Sequence, residues 1–249
     1  MKALRLTIGI IFLIPVFIVF GLLALIIGNL LSLFHLEKAS EKCVHFLLGI
    51  LIRWIFICFG VKLHVEGKEN IPAWGSHVCY IANHQSALDI PVLFGSGAWC
   101  GIVAKKELYK IPFLHSLLNL LRCIPLDRSS LRAGLQSILT GVERIKSGYP
   151  MGIFPEGTRS KTGEIAEMKA GAFKMATKAK ALLVPVAMKN TRTAFEASDS
   201  LKRVHVYVKI MKPIDTSLLS EEEVKNIHTV AENMVREAYA VLPGPYAKG

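Results

Sequence analysis

His84 and Asp89 stand five positions apart in Asn83-His84-Gln85-Ser86-Ala87-Leu88-Asp89, directly after the apolar run Val78 to Ala82. An imidazole oriented by a carboxylate becomes a general base near neutral pH. The pair also has a bland reading. Asp89 falls in the first turn of an expected helix, where negative charge complements the helix dipole. Farther along, Phe154-Pro155-Glu156-Gly157-Thr158-Arg159-Ser160 forms a second polar loop. Gly157 allows a tight turn and Arg159 can grip an anion by two parallel hydrogen bonds. Glu156 can position Arg159 or a hydroxyl, with Thr158 and Ser86 as supporting loop residues. A solvated surface turn is the alternative reading of that stretch. Lys105 and Lys106 after one strand, and Arg128 after the run Cys123 to Asp127, are further cations that can join Arg159.

Other chemistries find less support. There is no G-x-S-x-G elbow, and Gly95-Ser96-Gly97 lacks that spacing. Ser86 is two residues from His84, too close to be its nucleophile and occupied as a helix cap. Cys79 lies in an expected buried strand, and Cys123 has no evident base. No H-E-x-x-H is present and the eight histidines are scattered, so no metal site is expected.

Alternating elements must position these loops. Strands are expected at Val61 to Val65, Val78 to Ala82, Gly101 to Ala104, Cys123 to Leu126, Met151 to Phe154, Leu182 to Met188 and Val204 to Ile210. Helices are expected at Ser86 to Phe94, Phe113 to Leu121, Ser130 to Lys146 and Lys169 to Lys180. A last one starts at a Ser220/Glu223 capping box and ends before Pro243-Gly244. Such alternation implies an α/β fold with a mixed, largely parallel sheet flanked by helices. Both polar loops follow strand ends, where open α/β sheets carry their sites.

Ahead of this domain, Ile8 to Leu36 runs 29 residues without Asp, Glu, Lys or Arg. About 20 apolar residues suffice to cross a hydrocarbon core. Pro15, Gly21 and Gly28 are the points at which that run would bend. A second apolar stretch, Val44 to Phe59, is interrupted by His45 and Arg53. Residues 1–60 therefore form a two-helix membrane anchor and residues 61–249 the α/β domain. Lys2 and Arg5 favour a cytoplasmic N-terminus. Two crossings, or a hairpin in one leaflet, then keep the domain on the cytoplasmic side. The odd set of five cysteines, without a C-x-x-C pair, suits a reducing compartment.

The chain is rich in apolar residues, at 52%, with a mean hydropathy of +0.42. Its formal net charge is +11, of which +3 falls on residues 1–60 and +8 on the remainder. That charge suits an anionic membrane surface, an acidic carrier protein or a phosphorylated substrate. No nucleic-acid fingerprint accompanies it, and no nucleic acid is expected as a partner.

Four blocks together resemble a known family, the glycerolipid acyltransferases, and within it the 1-acyl-sn-glycerol-3-phosphate acyltransferases of the bacterial PlsC type. They are the His-x4-Asp block in its NHQS form, and Lys105, Leu108, Ile111 and Pro112 continuing to Ile124-Pro125-Leu126-Asp127-Arg128. FPEGTRS with Lys169-Ala170-Gly171-Ala172-Phe173 follows, and then Val184-Pro185-Val186. The resemblance covers about Val61 to Met211. Gln85 and Pro155 favour the lysophosphatidate branch over glycerol-3-phosphate acyltransferases. Glycine is usual in the family where His115 stands and again near Arg122; neither is a catalytic position by resemblance.

The resemblance implies transfer of an acyl chain from a thioester of acyl-carrier protein or coenzyme A to lysophosphatidic acid, giving phosphatidic acid. No cofactor is bound; the thioester is a co-substrate. His84 and Asp89 are implied as the catalytic pair, acting without an acyl-enzyme. Arg159, Lys105 and Arg128 are implied as phosphate ligands. The implied setting is the cytoplasmic face of a bacterial inner membrane, with lipids and the thioester carrier as partners. Acylation of another lysophospholipid, transacylation, thioester hydrolysis and non-catalytic lipid binding are the rival activities.

Overall fold

The structure is a computed structural model that describes residues 2–126, 131–197 and 202–246. It opens with helices α1 (Lys2–Leu33) and α2 (Glu37–Phe59). The α/β part follows as β1 (Val61–Glu66), β2 (Val78–Ala82), α3 (Asp89–Gly95), β3 (Gly101–Lys105), α4 (Pro112–Leu120), β4 (Ile124–Leu126), α5 (Leu131–Lys146) and β5 (Met151–Ile153). It continues as α6 (Ala170–Ala179), β6 (Leu182–Lys189), α7 (Thr191–Ala194), β7 (Val204–Ile210), β8 (Ile214–Asp215) and α8 (Glu221–Val241).

Both leading helices are long and apolar enough to cross a membrane, over Ile14–Leu33 and Glu37–Phe59. They pack together through Ala24, Val44, Leu48 and Leu51, with Leu117 of α4 closing the cluster. Gly21 and Gly28 serve this packing. A Cβ on Gly21 would strike the Phe113 ring, and one on Gly28 would stand 2.9 Å from Val44 and 3.1 Å from Leu120. On the other face Ile14, Ile18, Leu22, Ile26 and Leu30 recur every four residues and are 44–63% exposed. An open apolar stripe of this kind is what a lipid-facing helix presents.

The strands form one eight-stranded sheet in the order β1-β7-β6-β2-β5-β3-β4, with β8 on β6. From β6 to β4 every neighbour is parallel. β7 runs antiparallel to β6, and β1 is parallel to β7. The sheet is therefore mixed and largely parallel. Central strands covered on both faces read as unbroken apolar runs, and all five residues of β2 are buried. Cys79 and Ile81 join the core under α5, α6 and α8. Val78, Tyr80 and Ala82 face α3 and the end of α2. Each fully buried aliphatic side chain stabilises the fold by about 1.5–3 kcal/mol.

Each expected strand forms, with ends moved by a residue at most. The capping box of α8 is present: Ser220 N–H donates to Glu223 Oε2 at 2.8 Å and Ser220 Oγ accepts from Glu223 N–H. The helix expected from Ser86 starts at Asp89 instead, because Ser86 is held elsewhere (below). The 3-10 turns Lys68–Asn70 and Lys106–Lys110, together with α7 and β8, were not expected; segments of two to five residues are too short to show a period. Arg122, between α4 and β4, has φ 51°, a left-handed backbone that glycine adopts without strain. Here Arg122 is held by Glu41 of α2 at 3.3 Å and lies 4.7 Å over the Tyr149 ring. A cavity of about 390 Å³ at this junction is lined by Glu37, Glu41, Asn119, Arg122 and Tyr149 among others. Arg122 and Tyr149 precede β4 and β5, so the cavity lies at the sheet's N-terminal edge, opposite the loops that follow β2 and β5.

Candidate active site

The site begins where β2 ends. The β2–β6 ladder runs to Ala82 opposite Val186. Beyond it, the fully buried Asn83 side chain takes over from the backbone. Its Nδ2 donates to Met188 O and its Oδ1 accepts from Met188 N–H, both at 2.8 Å. The amide thus extends the sheet by one step and lets the main chain turn away at His84.

His84 is then fixed from three sides. Its N–H donates to Glu156 Oε1 at 2.6 Å, and its C=O accepts from Ser160 N–H at 2.8 Å. Its ring stacks on Phe154, with centroids 4.2 Å apart and planes 18° apart. Nδ1 lies 2.7 Å from Asp89 Oδ2. That oxygen also accepts the N–H groups of Gln85 at 2.7 Å and Ser86 at 2.8 Å. An oxygen receiving two backbone donors acts as an acceptor, so Nδ1 carries the proton and the lone pair is on Nε2. Nε2 bonds to no described residue, and the side chain is 20% exposed. Asp89 is fully buried, and its Oδ1 has no partner among the described residues.

Glu156 does not hold Arg159. Both of its oxygens are taken by backbone, Oε1 by His84 N–H and Oε2 by Ala166 N–H at 2.9 Å. Burial pushes its carboxyl above the usual range, opposed by those two amides. A folded-state value above the unfolded one means that folding takes up a proton in that window. Glu156 therefore subtracts stability as pH rises through it. Glu156→Ala is expected to flatten that slope while removing the acceptor of two part-buried N–H groups, with a net loss of about 0.5–1.5 kcal/mol per hydrogen bond. Denaturant unfolding at several pH values measures both effects.

Arg159 pairs with Glu196, a residue that the sequence did not single out. Arg159 Nη1 lies 3.1 Å from Glu196 Oε1, which also accepts from Ala87 N–H at 2.9 Å. Glu196 Oε2 accepts from Ser86 Oγ at 2.6 Å. Ser86 Oγ in turn accepts from Leu88 N–H at 3.0 Å. The Ser86 hydroxyl is thus committed away from His84. The thiols are no better as nucleophiles: burial pushes Cys79 up to about 12 and Cys123 up to about 11.

Gly157 has φ 74°, the left-handed turn that its loop requires. The Lys169 ammonium lies over it, 3.3 Å from where a Cβ would stand, and adds a cation that the sequence did not assign. Thr158 is exposed, and its hydroxyl bonds to no described residue. Lys105 is exposed at the end of β3 and makes no ion pair with a described carboxylate. Strand order β2-β5-β3 puts the ends carrying His84 and Lys105 two strand spacings apart, about 10 Å. Arg128 lies outside the described residues.

Tyr239 was also missed, and Gln85, read from the sequence only as a mark of the lysophosphatidate branch, proves to be its partner. Gln85 Nε2 donates to Gly163 O at 2.6 Å and lies 3.0 Å from the Tyr239 hydroxyl, which itself donates to Gly163 O. Lys189 Nζ donates to Tyr239 O and Leu242 O at the end of α8. The last helix therefore braces the two loops. Among the described residues no group of three or more His, Cys, Asp or Glu could hold a metal ion.

A His–Asp pair and a cation-bearing loop thus lie at the C-terminal edge of a mixed sheet, behind an apolar hairpin. The family model described as Acyltransferase matches residues 62–189. The chain belongs to this family. It is 33% identical over 179 residues to the 1-acyl-sn-glycerol-3-phosphate acyltransferase of Borreliella burgdorferi, covering 71% of each chain. The Saccharomyces cerevisiae protein of the same description is 32% identical over 213 residues, covering 82% of this chain and 67% of that one. Among solved structures, the 1-acyl-sn-glycerophosphate (LPA) acyltransferase PlsC from Thermotoga maritima superposes with a TM-score of 0.84 at 26% identity over the whole of both chains.

Proposed function

We propose that this enzyme moves an acyl chain from a thioester to the sn-2 hydroxyl of lysophosphatidic acid, giving phosphatidic acid. The observation that carries the mechanism is the 2.7 Å contact between His84 Nδ1 and Asp89 Oδ2, which leaves Nε2 as the base. Nε2 removes the hydroxyl proton as that oxygen attacks the thioester carbonyl. The tetrahedral intermediate collapses with cleavage of the C–S bond. The imidazolium returns the proton to the departing sulfur, so the free thiol carrier leaves and His84 is neutral again. Asp89 holds the tautomer and stabilises the imidazolium. The nucleophile comes from the lipid, and no acyl-enzyme forms.

Arg159 and Lys105 are assigned to the acceptor phosphate, with Arg128 as a third cation. Arg159→Ala is expected to raise the acceptor KM about 10- to 100-fold, the range of a lost charge-assisted contact. Steady-state kinetics with the acceptor varied checks this, and an unchanged KM removes Arg159 from the phosphate site.

The apolar hairpin suits an acceptor that stays in the bilayer, since a domain held at the leaflet can load acyl chains laterally. We assign it to the cytoplasmic face of a bacterial inner membrane, where acyl-carrier protein and coenzyme A thioesters are available. The +8 on residues 61–249 favours an acidic carrier and anionic headgroups. The test is thiol release with lysophosphatidic acid and each donor type in turn. Absence of release with every donor would remove the assignment.

A further inference from the structure

Glu196 lies beyond the segment matched by the family, in the turn after α7. Its carboxylate nevertheless joins the two halves of the site. One oxygen receives Ala87 N–H and the Arg159 guanidinium; the other receives the Ser86 hydroxyl. Ser86 and Ala87 sit between His84 and Asp89. The loop bearing Arg159 is itself hung from His84, through Glu156 on one side and Ser160 on the other. A flexible arginine is thus tied at its root to the base and at its tip to the base's own loop.

We propose that Glu196 is a positioning residue that sets the distance between the His84 base and the acceptor phosphate, and thereby selects the sn-2 over the sn-1 hydroxyl. The inference rests on the lysophosphatidate assignment above. In the 1-substituted acceptor the reacting oxygen is on the carbon next to the one that bears the phosphate. In the 2-substituted isomer it is one carbon farther away. A site whose cation is held relative to its base can tell these apart, because about 1 Å of misplacement can cost about 10²-fold. Glu196 meets the guanidinium through Nη1. A guanidinium carries five N–H donors, so an edge remains for a phosphate. Side-chain exposures of 49% for Arg159 and 22% for Glu196 leave that edge open.

The test uses the full-length enzyme in phospholipid vesicles with three acceptors. These are the 1-alkyl and 2-alkyl ether isomers of glycerol phosphate, which cannot migrate, and 1-alkylglycerol, which lacks the phosphate. Wild type is compared with Glu196→Ala, Glu196→Gln, Arg159→Ala and the double variant Arg159→Ala/Glu196→Ala. Thermal unfolding confirms that each is folded, and Gln keeps the shape and one acceptor oxygen. Glu196→Ala is expected to raise the KM for the 1-alkyl phosphate about tenfold, the size of one misplaced charge-assisted bond, with the donor KM unchanged. Preference for the 1-alkyl over the 2-alkyl isomer should narrow, and turnover of alkylglycerol should fall several-fold less than turnover of the 1-alkyl phosphate. Glu196→Gln should fall between wild type and Ala, and the double variant should be no worse than Arg159→Ala.

Wild-type KM and isomer preference in Glu196→Ala would overturn the inference alone. Equal losses with the phosphorylated and unphosphorylated acceptors would also overturn it, because they would mean that Glu196 merely supports the base loop. A wild-type enzyme inactive on the 1-alkyl phosphate with both donor types would overturn the lysophosphatidate assignment, and this inference with it.

Discussion

His84→Ala is expected to lower kcat about 10²–10⁴-fold while leaving the KM of both substrates within a few-fold of wild type, the range that a positioned general base contributes. The imidazole's ring stacks on Phe154 and one nitrogen is committed to Asp89, so it has one free function, proton transfer at Nε2. The His84 peptide group holds both ends of the Glu156–Ser160 segment through its N–H and C=O. The alanine variant keeps that peptide, so the anion loop should remain in place. Rapid-quench and steady-state measurements with lysophosphatidic acid separate the chemical step from binding. Near-normal turnover in His84→Ala would sink the general-base mechanism.

Asp89 variants should separate charge from architecture. Asp89→Ala removes the acceptor for Gln85 N–H, Ser86 N–H and His84 Nδ1 at once. It is expected to lower kcat about 10³–10⁴-fold. It should also destabilise the fold by about 2–6 kcal/mol, from two buried N–H groups left unmet at about 1–3 kcal/mol each. Asp89→Asn differs in an instructive way. The two backbone donors demand an oxygen where Oδ2 now stands, so the asparagine amide should present its oxygen there. The tautomer of His84 is then preserved and only the negative charge is lost. Stability should change much less than in Asp89→Ala, and the kcat loss should be smaller, about 10–10³-fold, because imidazolium stabilisation is removed without misorientation. Unfolding midpoints and kcat for the two variants test this. Equal stability losses would mean that the backbone donors do not fix the amide.

Much of the frame was legible because its signals are local. Val78 to Ala82 is apolar on both faces and so reads as a central strand; Ser220 and Glu223 cap a helix within one turn of each other. The 29-residue uncharged run near the N-terminus reads by its length as a helix long and apolar enough to cross a membrane. Even the His84 and Asp89 contact spans only five residues, a distance that one turn closes.

Other contacts join residues that sequence proximity cannot pair. Glu156 reaches His84 across 72 positions, Glu196 reaches Ser86 across 110 and Tyr239 reaches Gln85 across 154. Each depends on the order of strands, because β2, β5 and β6 become neighbours only in the sheet. Spacing suggested that Glu156 would serve Arg159 three residues away. In the fold the Glu156 carboxylate is itself buried, and the His84 and Ala166 amides meet its two oxygens there. Arg159, near the surface, takes Glu196 instead. The sequence by itself determined the longer strands and helices, which loops carry the reactive groups and that long apolar helices precede them, since periodicity, caps and composition act within a few residues. Only the tertiary structure decided which carboxylate serves which donor, because that choice is made among groups that the sheet brings together and the interior deprives of solvent.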